Sequence, residues 1–178
     1  MAAVVKTLDK TLGVLEIGAT AFWTGASAGF AAIGVPLAFK VLTDRDTIAE
    51  LTGQTLHRLA VATYVAGGLA SGAALARAAL GERRSYDALR ALAGSAALVL
   101  IAYHETNVIP AMRDVKNAMG SFREAAEDDP KRLEYRALHG RSTRVWGSAL
   151  LFGVLQLTLA AALPPTESKQ EMPAGSAG

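Results

Sequence analysis

The chain has 178 residues and a formal charge of +2, and 51% of its residues are hydrophobic. Its 18 basic and 16 acidic side chains nearly balance, and no basic stripe interleaved with aromatics is present, which excludes a nucleic-acid partner. It contains no cysteine, which excludes disulfides, thiolate metal sites and cysteine nucleophiles.

The apolar residues fall in long blocks rather than at amphipathic spacing, which points to an all-α fold: an integral membrane four-helix bundle. The first block, Ile17 to Phe39, has 23 consecutive residues without a charge. A helix of that length spans the roughly 30 Å hydrocarbon layer. Lys6 and Lys10 precede it, and Ala19-Thr20-Ala21 has the look of a cleavage site. Glu16 interrupts the apolar stretch before that site, however, and the run continues beyond it, so a retained span is expected. Pro36 lies near its exit, where a kink or a stop is tolerated in a membrane helix.

Thr47 and Glu50 have capping-box spacing and open a second helix, whose charge-free part is Leu59 to Ala76. It runs to Leu80, with Gly81 placed as its C-terminal cap, a short loop over 81–84, and Ser85 as the cap of the third helix. That third span is free of charge from Ala91 to Tyr103 and then carries His104-Glu105-Thr106-Asn107 before Pro110. The fourth block, Val145 to Leu163, stops at Pro164-Pro165.

Between the third and fourth spans, Met112, Val115, Met119, Phe122 and Ala126 recur at heptad-like spacing. Glu127-Asp128-Asp129 breaks the stripe, with Asp129 as a cap and Pro130 as the first residue of a new helix. The reading is an extramembrane helical hairpin, rising over 111–127 and returning over 130–144, between helices 3 and 4. The expected organisation is a four-span membrane domain over 1–163, with spans at about 17–39, 59–80, 88–109 and 145–163. A stalk over 110–144 and a disordered tail over 164–178 complete it.

Gly25 and Gly29 in the first span, and Gly68 and Gly72 in the second, have the spacing that lets membrane helices approach closely, and are assigned to packing within the chain. Trp23 and Trp146 read as interfacial anchors and Glu16 as a solvated residue near an interface. Basic residues number seven on the side of the termini and eleven on the side of the stalk, which leans toward a cytoplasmic stalk. Arg77, Arg83, Arg84 and Arg90 cluster on the opposite side, so orientation stays open.

The topology gathers the candidate polar site, His57, Arg58, His104, Glu105, Asn107, His139, Ser142 and Arg144, at one face of the membrane. Glu105 remains inside the apolar layer, where an ionisable group faces the bundle interior and needs a partner, which Arg58, Arg144 or one of the histidines can supply. In the structural reading, Arg58 or Arg144 pairs with it and the histidines bond backbone carbonyls. In the functional reading the cluster is a polar pathway or pocket for a small solute, with Glu105 as proton carrier. Histidine and carboxylate ligands from facing helices also suit a divalent metal, or two histidines haem iron, but no paired-ligand spacing is present. No metal site and no cofactor are therefore predicted. Ser142 has no neighbouring base and acid in the sequence, so no hydrolase chemistry is assigned.

The run Phe22-Trp23-Thr24-Gly25, then Pro36 and Phe39, then a second span entered through Thr47 to Leu59, resembles the first half of the transmembrane protein 205-like family. The segment Tyr135-Arg136-Ala137-Leu138-His139-Gly140-Arg141-Ser142 is similar to that family's His-x-x-Ser lead-in to its final helix. The resemblance covers roughly residues 22 to 163. It implies a four-span membrane protein of unassigned activity, with His139 and Ser142 as the positions to carry over. Trp146 stands where the family pattern leads us to expect an asparagine.

The sequence thus reads as a small multi-pass protein of a bacterial cytoplasmic membrane that binds or passes a small solute or ion. Two alternatives stand beside it: a membrane adaptor or assembly factor that meets a protein partner through the stalk, and a haem- or metal-binding membrane protein. The bilayer is the one partner common to all three.

Overall fold

A computed structural model describes residues 2–80 and 84–162. Six helices account for almost all of them: α1 (Ala2–Gly29), α2 (Val35–Val41), α3 (Arg45–Leu80), α4 (Arg84–Tyr103), α5 (Ile109–Met119) and α6 (Pro130–Ala162). Two π-helical turns, Phe30–Gly34 and His104–Val108, join α1 to α2 and α4 to α5. Four long rods result, Ala3–Val41, Arg45–Leu80, Arg84–Met119 and Pro130–Ala162, each long and apolar enough to cross a membrane. They pack as a ring in which α1 meets α3, α3 meets α4, α4 meets α6 and α6 returns to α1.

The two π turns share one cause. Proline lacks an N–H, and its ring crowds the carbonyl four residues back in a regular α-helix. Here Pro36 and Pro110 each stand two residues beyond a widened turn, in which Val35 donates to the Phe30 carbonyl and Ile109 to the His104 carbonyl, five residues earlier. The chain therefore passes each proline without stopping.

The bundle is inverted relative to a water-soluble domain. Its outer faces carry Phe22, Phe39, Leu92, Val99 and Leu151, all exposed, while Glu16, Thr20, His104 and Gln156 are fully buried. The core between them is small: Ala60, Ala66, Ala97 and Ala149 close around Trp23, Ile101 and Trp146. Small residues let the rods approach, and the buried polar groups then find partners inside the bundle.

Several local expectations change. Asp44, rather than a Thr47–Glu50 capping box, starts α3: its carboxylate accepts the Thr47 N–H at 2.9 Å and also the Thr47 hydroxyl. Ser85 lies inside α4, which is already helical at Arg84. The Gly81 cap, most of the 81–84 loop and the 164–178 tail lie outside the described residues.

The four expected packing glycines, Gly25, Gly29, Gly68 and Gly72, would each meet nothing within 4 Å if given a β-carbon, so none makes a close approach among the described residues. Gly94 and Gly153 do. A β-carbon at 94 would lie 2.3 Å from Ser71 Oγ and 2.5 Å from Gln156 Oε1, and one at 153 would lie 2.3 Å from Trp23 Cζ2. Trp23 and Trp146 are buried in the core, not interfacial.

The hairpin between the third and fourth rods is present but shorter than expected. Its rising arm ends at Met119 because Gly120 takes φ 80°, a left-handed backbone that glycine adopts without steric cost. Asp46 at the start of α3 holds the turn: it pairs with Lys116 Nζ at 2.7 Å, and accepts Ser121 Oγ at 2.7 Å and the Phe122 N–H at 3.2 Å. Phe122, no longer on the helix, packs edge-on against Tyr135 at 4.9 Å. The cap expected at Asp129 is present, accepting the N–H groups of Lys131 at 2.7 Å and Arg132 at 3.2 Å. From Pro130, the returning arm and the last span form one uninterrupted helix.

The Lys116 contact, helped by the hydroxyl and the amide, holds the Asp46 carboxyl below the ordinary carboxylate value. A carboxyl depressed in the folded state stabilises above its unfolded pKa, about 3.9, and that contribution is lost as pH falls through the lower folded value. Amide exchange at Phe122, corrected for intrinsic rate, should therefore rise when pH drops from 6 to below 4. In Asp46→Asn it should be fast at both pH values. Equal protection of the wild type across that interval would remove Asp46 as the tie.

Candidate functional site

The His104–Val108 π turn carries the cluster. Successive residues of an α-helix diverge by about 100° around its axis. Here His104 faces α6, whereas Glu105 reaches α3. Glu105 is bound on both carboxylate oxygens: Oε2 lies 2.9 Å from Nδ1 of His57, and Oε1 lies 3.0 Å from Nδ1 of His104. His104 continues the chain, with Nε2 2.8 Å from Ser142 Oγ on α6. Trp146, one turn further along α6, directs its indole N–H at His104 Nδ1 at 3.1 Å and stands edge-on to the imidazole. Accessibility falls steeply along this series: the His57 side chain is 70% exposed, Glu105 12% and His104 0%.

Of the eight residues expected at this site, four meet: His57, His104, Glu105 and Ser142. His139 is exposed on α6. Arg58 and Arg144 are also exposed, and Arg144 Nε donates to the Gly140 carbonyl at 3.3 Å. Asn107 is exposed and donates to Thr106 Oγ1 at 2.8 Å. The partners of Glu105 are thus the two imidazoles, not an arginine. Ser142 does have a base and an acid beside it, on another helix, where sequence proximity gave no sign of them.

The order Ser142–His104–Glu105 is the one that activates a serine in hydrolases. Trp146 opposes that use. An N–H aimed at Nδ1 requires a lone pair there, which in a neutral ring leaves the proton on Nε2, donated to Ser142 Oγ. A general base needs the opposite tautomer. Nδ1 also faces the Glu105 oxygen, and one nitrogen cannot accept from the indole and donate to the carboxylate at once. The location of a single proton therefore decides whether Trp146 or Glu105 holds His104. With the proton on Nε2, His104 is not poised to act as a base toward Ser142.

A second polar cluster sits at the other end of the bundle, and the sequence reading missed it. Glu16, expected to be solvated, is fully buried. Its Oε2 accepts from Arg77 Nη1 at 3.2 Å, and its Oε1 lies 3.4 Å from Arg90 Nε. Arg77 Nε reaches Asp9 at 2.9 Å, and Arg90 pairs with Asp87. The signal was on α1: Glu16, Thr20, Thr24 and Ser27 repeat at helical spacing, all four are buried, and no acidic or basic residue shares their face between 17 and 39. In an apolar helix such a polar stripe points inward.

Among the described residues no three histidine, aspartate or glutamate side chains converge as a metal site. The two imidazoles that approach each other are joined through Glu105.

The family described as Domain of unknown function (DUF4149) matches residues 18–121, from the first span to the hairpin turn. No curated protein and no solved structure matches the chain.

Proposed function

We propose that this chain, which belongs to the DUF4149 family of unknown function, is a multi-pass membrane protein that binds or passes a small solute or ion and exchanges protons at Glu105. The observation that carries this reading is the carboxylate held between an exposed and a fully buried imidazole, on a helix otherwise apolar enough to cross a bilayer. An ionisable group in such a helix is costly and is retained for ion pathways and proton relays. His57 meets solvent, Glu105 receives, and His104 passes the proton toward Ser142, with Trp146 competing for the same ring nitrogen. The inverted surface supports insertion, since its exposed leucine, valine and phenylalanine side chains suit lipid. The likeness of the Phe22–Gly25 and Tyr135–Ser142 runs to the transmembrane protein 205-like family supports the same four-span arrangement, in a bacterial cytoplasmic membrane, with spans near 17–39, 59–80, 88–109 and 145–163.

Reconstitution into liposomes containing a pH-sensitive dye tests the reading, with a potassium–valinomycin potential as the driving force and the proton as the probe. Wild-type vesicles should acidify or alkalinise according to the sign of the potential. Glu105→Gln, close in size and uncharged, should fall to the level of empty liposomes while keeping the wild-type melting temperature. Equal flux in the two proteins would overturn the assignment of Glu105.

A further inference from the structure

Between the Glu16 cluster and the His104 cluster lies a series of buried polar atoms for which no described residue supplies a hydrogen-bond partner. They are Thr20 Oγ1, Ser71 Oγ, Gln156 Oε1, Trp23 Nε1 and Ser27 Oγ; the Gln156 amide group itself donates to the Glu16 carboxylate. Each belongs to a side chain no more than 5% exposed. Buried polar groups in folded proteins nearly always have a partner, so a run of five such atoms within one bundle calls for a ligand that supplies the missing bonds. Two of the side chains that bear them, Ser71 and Gln156, converge where Gly94 has no side chain, so a single added carbon there would displace both. Those two polar side chains themselves fill the space beside Gly94.

We infer that this seam is a hydrated site, with water as its ligand, that extends the proton route from Glu105 through the bundle to Glu16. The chemistry of the atoms selects water. An anion would need donors alone and a metal cation acceptors alone, whereas this set mixes an indole donor, an amide oxygen and three hydroxyls. Water both donates and accepts, and a buried water typically makes about three hydrogen bonds to such groups. From Glu16 to Ser27 the seam rises roughly 16 Å along α1, with Glu16, Arg77 and Arg90 closing its lower end. Trp23 and Ser27 carry it toward the level of His104. The inference rests on the proton-exchange reading for its direction, and on the five unpartnered atoms for its existence.

Hydroxyl-radical footprinting of the intact protein in detergent separates the two. Radicals formed from a bound water oxidise the side chain beside it, and indole is among the most reactive targets. Trp23, though only 2% exposed, should therefore be oxidised as readily as an exposed aromatic outside the spans such as Tyr86. The rate should drop several-fold in Gly94→Ala. Ser71→Ala and Thr20→Val, which add no bulk, should lower it in the same direction if Gly94→Ala fails to fold. Glu16→Gln should also reduce the liposome proton flux. A Trp23 that resists oxidation in the wild type overturns the hydrated seam, and if Glu105-dependent flux persists, the proposed function stands without it. Oxidation of Trp23 with flux that ignores Glu16→Gln overturns the route while keeping the water. Absence of any wild-type flux overturns the proton reading itself, and the labelling then decides the seam alone.

Discussion

Replacing Gly153 with alanine should unfold the bundle more readily than any other added methyl group on its helices. The new β-carbon would lie 2.3 Å from Trp23 Cζ2, 2.4 Å from Cη2 and 2.5 Å from Thr24 Cγ2. A flexible side chain could swing aside, but an indole is rigid, and this one has little room behind it. Gly67 on α3 backs the same ring, its own β-carbon position lying 3.8 Å from Trp23 Nε1. The strain must then be relieved by moving α6 away from α1, which opens one side of the ring of helices. Overpacking costs typically about 1–3 kcal/mol, and three contacts this short against a rigid ring place the change at about 3 kcal/mol or above. Thermal unfolding in mild detergent, followed by far-UV circular dichroism, measures it. Gly68→Ala, on an exposed face with open space around the position, is the control and should melt at or above the wild-type temperature. If the two variants melt together, Gly153 is not the contact that seats α6 on Trp23.

That pair of glycines also shows what the sequence does and does not disclose. Uninterrupted apolar runs located all four rods, because length and the absence of charge depend on nothing but the chain itself. The Gly-x-x-x-Gly spacing named the wrong glycines. Which face of a helix turns inward is decided by the whole bundle, and here Gly68 and Gly72 face outward while Gly94 and Gly153 meet neighbours. The hairpin was legible as a hairpin and misjudged in length, since the left-handed turn at Gly120 and its tie to Asp46, far away in sequence, outweighed a hydrophobic repeat that continued past it.

The site was half legible. His57, His104, Glu105 and Ser142 followed from assigning depths along helices whose ends were recognisable. His139, Arg58, Arg144 and Asn107 lie at similar depth but point outward, and depth carries no information about azimuth. Trp146 illustrates the opposite error. Tryptophan near the end of an apolar run is usually an interfacial anchor. Only the π turn at His104, which turns that imidazole toward α6, gives the indole N–H a partner in the core. Pro110 six residues after His104, and Pro36 six after Phe30, were the available signs of both π turns.

The buried charges at the lower end carry the last large effect. Arg90 is 2% exposed and lies between Asp87 and Glu16. Removing one partner from a buried ion pair leaves an uncompensated charge, at a cost of about 3–5 kcal/mol. Arg90→Met should therefore be severely destabilising although the methionine fills much of the same volume. The loss should be largely recovered by adding Asp87→Asn, because Glu16 then retains Arg77, which also keeps Asp9. A double-mutant cycle in the same detergent gives the coupling directly, and a strongly positive interaction between the two positions is expected. Additive losses, with the double variant weaker than Arg90→Met, would mean that Arg90 stabilises through its packing rather than its charge. The distinction bears on the proton route, because Glu16 can act as its lower terminus only if the two arginines fix its carboxylate where the seam begins.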